Sequence, residues 1–307
     1  MTRILVTGAS GLLGLNLALQ ASHSHEVVGV VNRNHLVNAS FEQMSADLGS
    51  TLEVQRVLAF ARPDWIIHCA AMANLEDCEK NPPRAARINA WLPGYIAEQA
   101  GWLGARFLHI STDAVFDGEL GNYREDDVPN PLSTYARTKL EGEQLTLQAN
   151  PDALVARVNF YGWSLRGQRS LAEFFYNSLS LGEAVRGFTD IFFCPLLVND
   201  LAGILLEMLQ LGLSGLFHTV SSESINKYDF GLSIARRFGL DVNLISPTSW
   251  KEGGLIARRS PNLVLNTEKL ASALRHPLPG IETGIERFHL LHQAGYPQQI
   301  QQLGGVV

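Results

Sequence analysis

The chain has 307 residues, 46% of them hydrophobic and 18% charged, with a net charge of −6 at neutral pH. Such a chain can bury a sizeable core and carry an appended lobe. Its acidic balance, with no basic run, argues against sequence-independent nucleic-acid binding, and no apolar segment reaches the ~18 residues a bilayer span needs.

In chain order, the first apolar run is Ile4-Leu5-Val6, followed by Thr7-Gly8-Ala9-Ser10-Gly11-Leu12-Leu13-Gly14 and then Leu15, Leu17, Ala18 and Leu19. This reads as strand, tight turn and helix. One glycine allows an unusual backbone angle, one lets the backbone approach a pyrophosphate, and one lets the helix pack close to the strand. The helix N-terminus then offers N–H groups and partial positive charge to phosphates, which makes Gly8, Ser10, Gly11, Leu12 and Leu13 cofactor candidates. The spacing is G-x-x-G-x-x-G, a variant of the usual dinucleotide fingerprint. Arg3 before an apolar stretch also permits a signal-peptide reading, but three glycines inside that stretch argue against export.

Residues 26–31 (EVVGVV) read as the second strand and residues 32–45 as a polar loop. Ser50-Thr51-Leu52-Glu53 reads as a capping box before an amphipathic helix ending near Arg62. Residues 65–71 read as the next strand and its exit, Pro82-Pro83 opens a helix through Trp102, residues 106–110 read as another strand, and residues 154–158 as one more after an intervening helix. Alternating strands and helices predict an α/β fold with a Rossmann-type, doubly wound parallel sheet in residues 1–160. Beyond residue 160 the pattern is irregular. Helices are expected at 171–181, 201–211 (with Asp200 near its start) and 228–238, and a short strand at 242–245. A strand near 215–220 is expected to return to the first sheet. Residues 161–307 are expected to be mainly a smaller, intercalated substrate-binding lobe, appended from Ser249 onward, with a mobile tail after Tyr296.

Ligands of such sheets sit at the carboxyl ends of the strands. Asn32 and Arg33 follow the second strand. An NAD site would place an acid there, whereas Arg33 can receive a 2′-phosphate or be a solvated loop residue. Asp47 can meet the adenine amino group and Leu48 can cover its ring. Cys69-Ala70-Ala71 is small and neutral, so a flat cofactor can pass. His68 reads as a buried, satisfied histidine. The next exit, Ser111-Thr112-Asp113, offers hydroxyls to a substrate carbonyl or to a turn. Tyr135 and Lys139 lie one helical turn apart, and an adjacent ammonium is expected to lower the phenol's pKa.

The glycine turn, the Ser/Thr strand exit and the Tyr/Lys helix together resemble the extended short-chain dehydrogenases/reductases, and most fully the dTDP-4-dehydrorhamnose reductases. The resembling residues include Pro63-Asp64-Trp65-Ile66-Ile67, Cys78-Glu79-Lys80-Asn81-Pro82, Ile88-Asn89 and Ser111-Thr112-Asp113-Ala114-Val115-Phe116-Asp117-Gly118. The octapeptide is the most specific of these. Arg157, Tyr161-Gly162, Asp200-Leu201-Ala202 and Arg259-Ser260-Pro261-Asn262 continue the likeness more loosely.

The resemblance implies NADPH-dependent reduction of a nucleotide-linked 4-keto-6-deoxy sugar, with NAD(H) left open as cofactor. Thr112, Tyr135 and Lys139 would be catalytic. Asn89 would support a water relay to the lysine, and Tyr135 and Lys139 would also touch the cofactor. Thr112, Asp113, Phe160 and Arg259 are the substrate-binding candidates, Arg259 for a diphosphate. Departures are Ala73 for a common threonine, His68 for a common asparagine, and a shortened Arg157-Val158-Asn159-Phe160-Tyr161-Gly162 segment. That segment lacks the family's tryptophan, for which Phe160 or Trp163 would substitute. The sugar therefore stays open. An epimerase or dehydratase, and a non-catalytic NADP-binding subunit like the methionine adenosyltransferase β subunit, are the rival readings. The three cysteines, Cys69, Cys78 and Cys194, lack metal or disulfide spacing. No metal, a cytoplasmic location, no nucleic-acid or membrane partner, and an open question of homodimer formation complete the expectations.

Overall fold

A computed structural model describes residues 1–251 and 260–305. The strands are β1 (Arg3–Thr7), β2 (Glu26–Val31), β3 (Glu42–Ser45), β4 (Trp65–His68), β5 (Arg106–Thr112), β6 (Leu154–Val158), β7 (Phe160–Tyr161), β8 (Val185–Phe188), β9 (Phe192–Phe193), β10 (Leu196–Leu197), β11 (Gly215–Thr219), β12 (Ile225–Asn226), β13 (Ile245–Thr248) and β14 (Asn262–Leu263). The α-helices are α1 (Leu12–Ala21), α2 (Thr51–Ala61), α3 (Leu75–Lys80), α4 (Pro82–Ala86), α5 (Leu92–Leu103), α6 (Thr134–Ala149), α7 (Leu171–Ser180), α8 (Val198–Gln210), α9 (Lys227–Phe238), α10 (Glu268–Leu274), α11 (Ile281–Gln293) and α12 (Tyr296–Gln302).

The central sheet runs β11-β6-β5-β4-β1-β2-β3, and every pairing in it is parallel. Its inner strands are apolar because both faces are covered. On β1, Ile4 and Val6 face a core shared with α1, α8 and the later helices, while Leu5 faces a second core with α2 and α5. β11 returns to the sheet, as the sequence predicts, by pairing with β6. The smaller sheets β7-β10, β12-β9-β14 and β8-β13 lie in the later half of the chain.

Several expectations are corrected. The loop at 32–45 contains β3, whose polar sequence EQMS carries little strand signal; it forms because the edge of β2 offers a ladder. Ser50 has N-cap geometry but makes no side-chain capping hydrogen bond, and the Glu53 carboxylate that would complete the box turns instead to Arg56, with O–N distances of 2.6 and 3.1 Å. The strand expected at 242–245 is a 3₁₀ turn (Val242–Leu244) leading into β13. Residues 260–263, expected in an appended lobe, are stitched into the body of the molecule. Asn262 N–H donates to the Gly118 carbonyl, and β14 pairs with β9.

The tail is a docked helix. In α12, Ile300 is 1% exposed, the Tyr296 hydroxyl donates to Asn16 Oδ1 at 2.8 Å, and the Leu303 carbonyl accepts from Val37 N–H. Its few apolar residues are placed on one side, which overall composition conceals.

Candidate active site

The turn after β1 uses its glycines for distinct reasons. Gly8 has φ +68°, and a Cβ there would lie 2.9 Å from Ala70 Cα at the exit of β4. A Cβ on Gly14 would lie 2.3 Å from the Gly8 carbonyl oxygen, so α1 can approach the turn only with glycine there. Gly11 is exposed and caps α1 with extended backbone and no side-chain bond. The first N–H groups of α1 are thereby left for an anion. Ser10 and Leu12 are half-buried. Leu13 is in the core, so only its backbone remains for a ligand.

The neighbouring exits complete a cleft. Asn32 and Arg33 are exposed after β2, and Arg33 has no ion-pair partner among the described residues. Asp47 Oδ1 accepts from Gly49 N–H at 3.0 Å. Leu48 is 7% exposed and packs in the core, which leaves little of it to cover an adenine. Cys69 and Ala70 are half-buried and Ala71 is exposed, forming a low wall beside the turn. The glycine cradle, the free helix end and this wall fit a dinucleotide.

Thr112 ends β5. Its hydroxyl donates to Asp113 Oδ1 at 3.1 Å and accepts from Ala114 N–H at 3.2 Å. Asn159 Nδ2 donates to the other Asp113 oxygen at 2.5 Å, and burial pushes this carboxyl up to about 6. Helix α6 is held over the exit by Ser133, which caps it, and by Glu79, which accepts from Thr134 N–H and hydroxyl at 2.7 Å each. Tyr135 is half-buried beside Thr112.

The expected lowering of the Tyr135 pKa is reversed. Burial pushes the phenol up to about 12, Thr112 opposes this by hydrogen bonding, and the Asp113 and Cys78 charges add to it. The Lys139 ammonium is instead directed at β5, donating to the Ile110 carbonyl at 2.5 Å and to His109 Nε2 at 3.2 Å. Burial lowers Lys139 to about 8, against the opposing charge of Glu143.

A π-helical turn, Arg87–Trp91, joins α4 to α5 and brings Asn89 against α6. A Cβ on Gly142 would lie 2.2 Å from the Asn89 carbonyl oxygen, so glycine permits this approach. The Asn89 side chain bonds Met72 N–H and carbonyl and the Thr138 hydroxyl. None of these bonds is to Lys139, and its place in a relay remains a proposal. His68 is only half satisfied. Its Nδ1 lies 2.8 Å from the Thr7 hydroxyl, while Nε2 has no partner among the described residues.

Trp163 is not available to a sugar. It is 3% exposed, stacks on Phe288 at 4.1 Å between centroids and donates to the Phe288 carbonyl. Phe160 is half-buried on β7 and remains the aromatic candidate. Arg259 lies outside the described residues. Sequence reasoning missed Asn159, His109 and the Glu143–Arg157 pair. Of these, Glu143 has a sequence signal in continuing the four-residue spacing of Tyr135 and Lys139, and Arg157 only in the looser family likeness.

A parallel sheet with a glycine turn after β1, a Ser/Thr exit on β5 and a Tyr/Lys pair on the following helix defines an NAD(P)-dependent oxidoreductase of the extended short-chain dehydrogenase/reductase type. Comparison with known proteins narrows this. The chain belongs to the family described as RmlD substrate binding domain, whose model matches residues 1–292. It is 33% identical to the probable low-salt glycan biosynthesis reductase Agl14 of Haloferax volcanii over 90% of this chain and 94% of that protein. It is 32% identical to bovine (Bos taurus) methionine adenosyltransferase 2 subunit beta over 80% and 75%. The dTDP-4-dehydrorhamnose reductase of Bacillus anthracis, solved in complex with NADP, superposes with a TM-score of 0.81 at 26% identity, covering 94% of this chain and 99% of the other. Among the described residues no helix is long and apolar enough to cross a membrane.

Proposed function

We propose that this chain uses NADPH to reduce the ketone of a nucleotide-linked 4-keto-6-deoxy sugar, the reaction class of dTDP-4-dehydrorhamnose reductase. The observation that supports the reading is that Tyr135 lies against Thr112 at the end of β5, while Lys139, one helical turn on, reaches Ile110 of the same strand. When bound, the nicotinamide supplies the hydride that reduces the ketone carbon.

The chain's own groups would manage position and proton. Thr112 would turn its hydroxyl proton from Asp113 toward the ketone oxygen. Tyr135, with its phenol pushed up to about 12, stays protonated at neutral pH and would give its proton to the developing alkoxide. Lys139 would hold the nicotinamide ribose with an N–H not used by Ile110 or His109. Gly8, Ser10, Gly11, Leu12 and Leu13 would hold the pyrophosphate, and Asn32 and Arg33 the adenosine 2′-phosphate. Asp47, Leu48, Cys69, Ala70 and Ala71 would border the adenosine and nicotinamide halves. Phe160 would line the sugar pocket. Residues 161–307 would supply the nucleotide site, with Arg259 proposed for its diphosphate.

The likeness to methionine adenosyltransferase 2 subunit beta favours a second reading, a cofactor-binding subunit that acts through a partner. NADPH oxidation with a panel of nucleotide 4-keto sugars separates them. A reductase turns over at least one. If none is reduced even at high enzyme concentration, although NADPH binds, the subunit reading replaces this one.

A further inference from the structure

Lys139 is buried, with its ammonium inside the sheet–helix interface. An ammonium has three protons to donate. One goes to the Ile110 carbonyl and one to His109 Nε2, and both partners are fixed on β5. The third has no partner among the described residues.

His109 itself is 0% exposed, and its contact with Lys139 is the side chain's only hydrogen bond among the described residues. Accepting at Nε2 places the ring proton on Nδ1, which has no partner. An unpaired buried donor is costly, and an apolar side chain at this position would avoid that cost. Stacking on His68 at 5.6 Å between centroids fixes the ring plane. A histidine kept here at such a cost, with one bond directed at the proposed catalytic lysine, requires a reason beyond filling the core.

We infer that His109 is a positioning residue for Lys139: its neutral ring accepts one hydrogen bond from the ammonium, completing with the Ile110 carbonyl a two-point cradle that aims the remaining N–H into the cofactor cleft. The inference deepens the reductase reading and rests on it. His109 is no proton donor or acceptor in turnover. Burial, Lys139 and His68 hold it far below the ordinary histidine range, so it stays neutral. The groups that act on the charge of Lys139 are Glu143 on its own helix, Cys69 and His68 at the end of β4, and His109 on β5. Because a hydrogen bond to the charged form favours that form, removing the acceptor lowers the pKa of Lys139.

The test compares His109→Phe, which keeps a ring but no acceptor, with His109→Gln, which restores one. The chain has five lysines, so the ¹³Cε signals of a ¹³C-lysine-labelled protein can be assigned by a Lys139→Arg variant and titrated without turnover. In His109→Phe, Lys139 should titrate about one pH unit lower, and the alkaline limb of kcat should move down with it. The rate should fall about tenfold with KM for the sugar nucleotide unchanged. His109→Gln should recover both to within about threefold. If His109→Phe folds poorly, His109→Met gives the same comparison. A folded acceptor-free variant with the wild-type Lys139 titration overturns the inference. Wild-type protein that reduces no sugar nucleotide would end the reductase reading, while the titration would still decide the contact between His109 and Lys139.

Discussion

Tyr135 and Lys139 stand four residues apart on one helix, and that spacing alone makes them visible in the sequence. What the sequence misjudges is their electrostatics. Proximity on a helix suggests an ammonium lowering a phenol, yet burial dominates at Tyr135 and the ammonium bonds β5 instead. The sign matters for pH dependence. A phenol at about 12 is protonated throughout the working range, so Tyr135 sets no limb near neutrality. Lys139, at about 8, loses its charge as pH rises, so kcat should fall above about pH 8. Tyr135→Phe keeps the ring and removes the proton, so steady-state kinetics should show kcat down by about 10²–10⁴ with NADPH affinity unchanged. Near-normal turnover would remove the tyrosine from the mechanism. Arg33 is also legible, as a cation where an NAD site would carry an acid. Arg33→Ala should weaken NADPH binding about ten- to a hundredfold and leave NADH nearly untouched, as read by fluorescence titration. Equal losses for both would dissociate Arg33 from the 2′-phosphate.

At the scale of elements, the β1–α1 unit and the apolar parallel strands are readable because local chemistry dictates them: φ > 0 at Gly8, close approach at Gly14, and burial on both faces. β3 and the π-helical turn at Asn89 are not, since each depends on a neighbour distant in sequence: the edge of β2 and the glycine on α6. The same holds for the attachment of α6. Glu143, 3% exposed, takes two guanidinium nitrogens of Arg157 at 2.8–3.2 Å and the Ser111 hydroxyl at 2.5 Å. Removing one partner strands a buried charge. Glu143→Ala should therefore cost about 3–5 kcal/mol in chemical denaturation, and the double variant Glu143→Leu/Arg157→Met distinctly less. A single variant no worse than the double would mean that the pair does little to secure α6.

Over the whole molecule, the doubly wound sheet is legible because regular alternation through residue 160 has few other solutions, and the apolar run at 215–220 signals the returning strand. The later part is less so, because its strands are short and paired across long separations, such as β14 with β9. The docked C-terminus shows the consequence. α12 and its C-cap residue join Asn16 of α1 to the loop after Arg33 through Tyr296 and Leu303. Ile300→Ala should destabilise the fold by about 2–5 kcal/mol, measured by thermal or denaturant unfolding, as for a packed core residue. An unchanged midpoint would show that the helix is not held there.

The central claim is that this cleft directs hydride onto a sugar carbon. Its most direct test is incubation of the protein with NADPH carrying deuterium at both hydrogens of the nicotinamide C4 and with dTDP-4-dehydrorhamnose, followed by mass spectrometry of the sugar nucleotide. The account predicts one deuterium at the former ketone carbon with wild-type protein, and a rate of incorporation reduced by about 10²–10⁴ with Tyr135→Phe. Bound cofactor with no deuterium in this or any other nucleotide 4-keto sugar would contradict it.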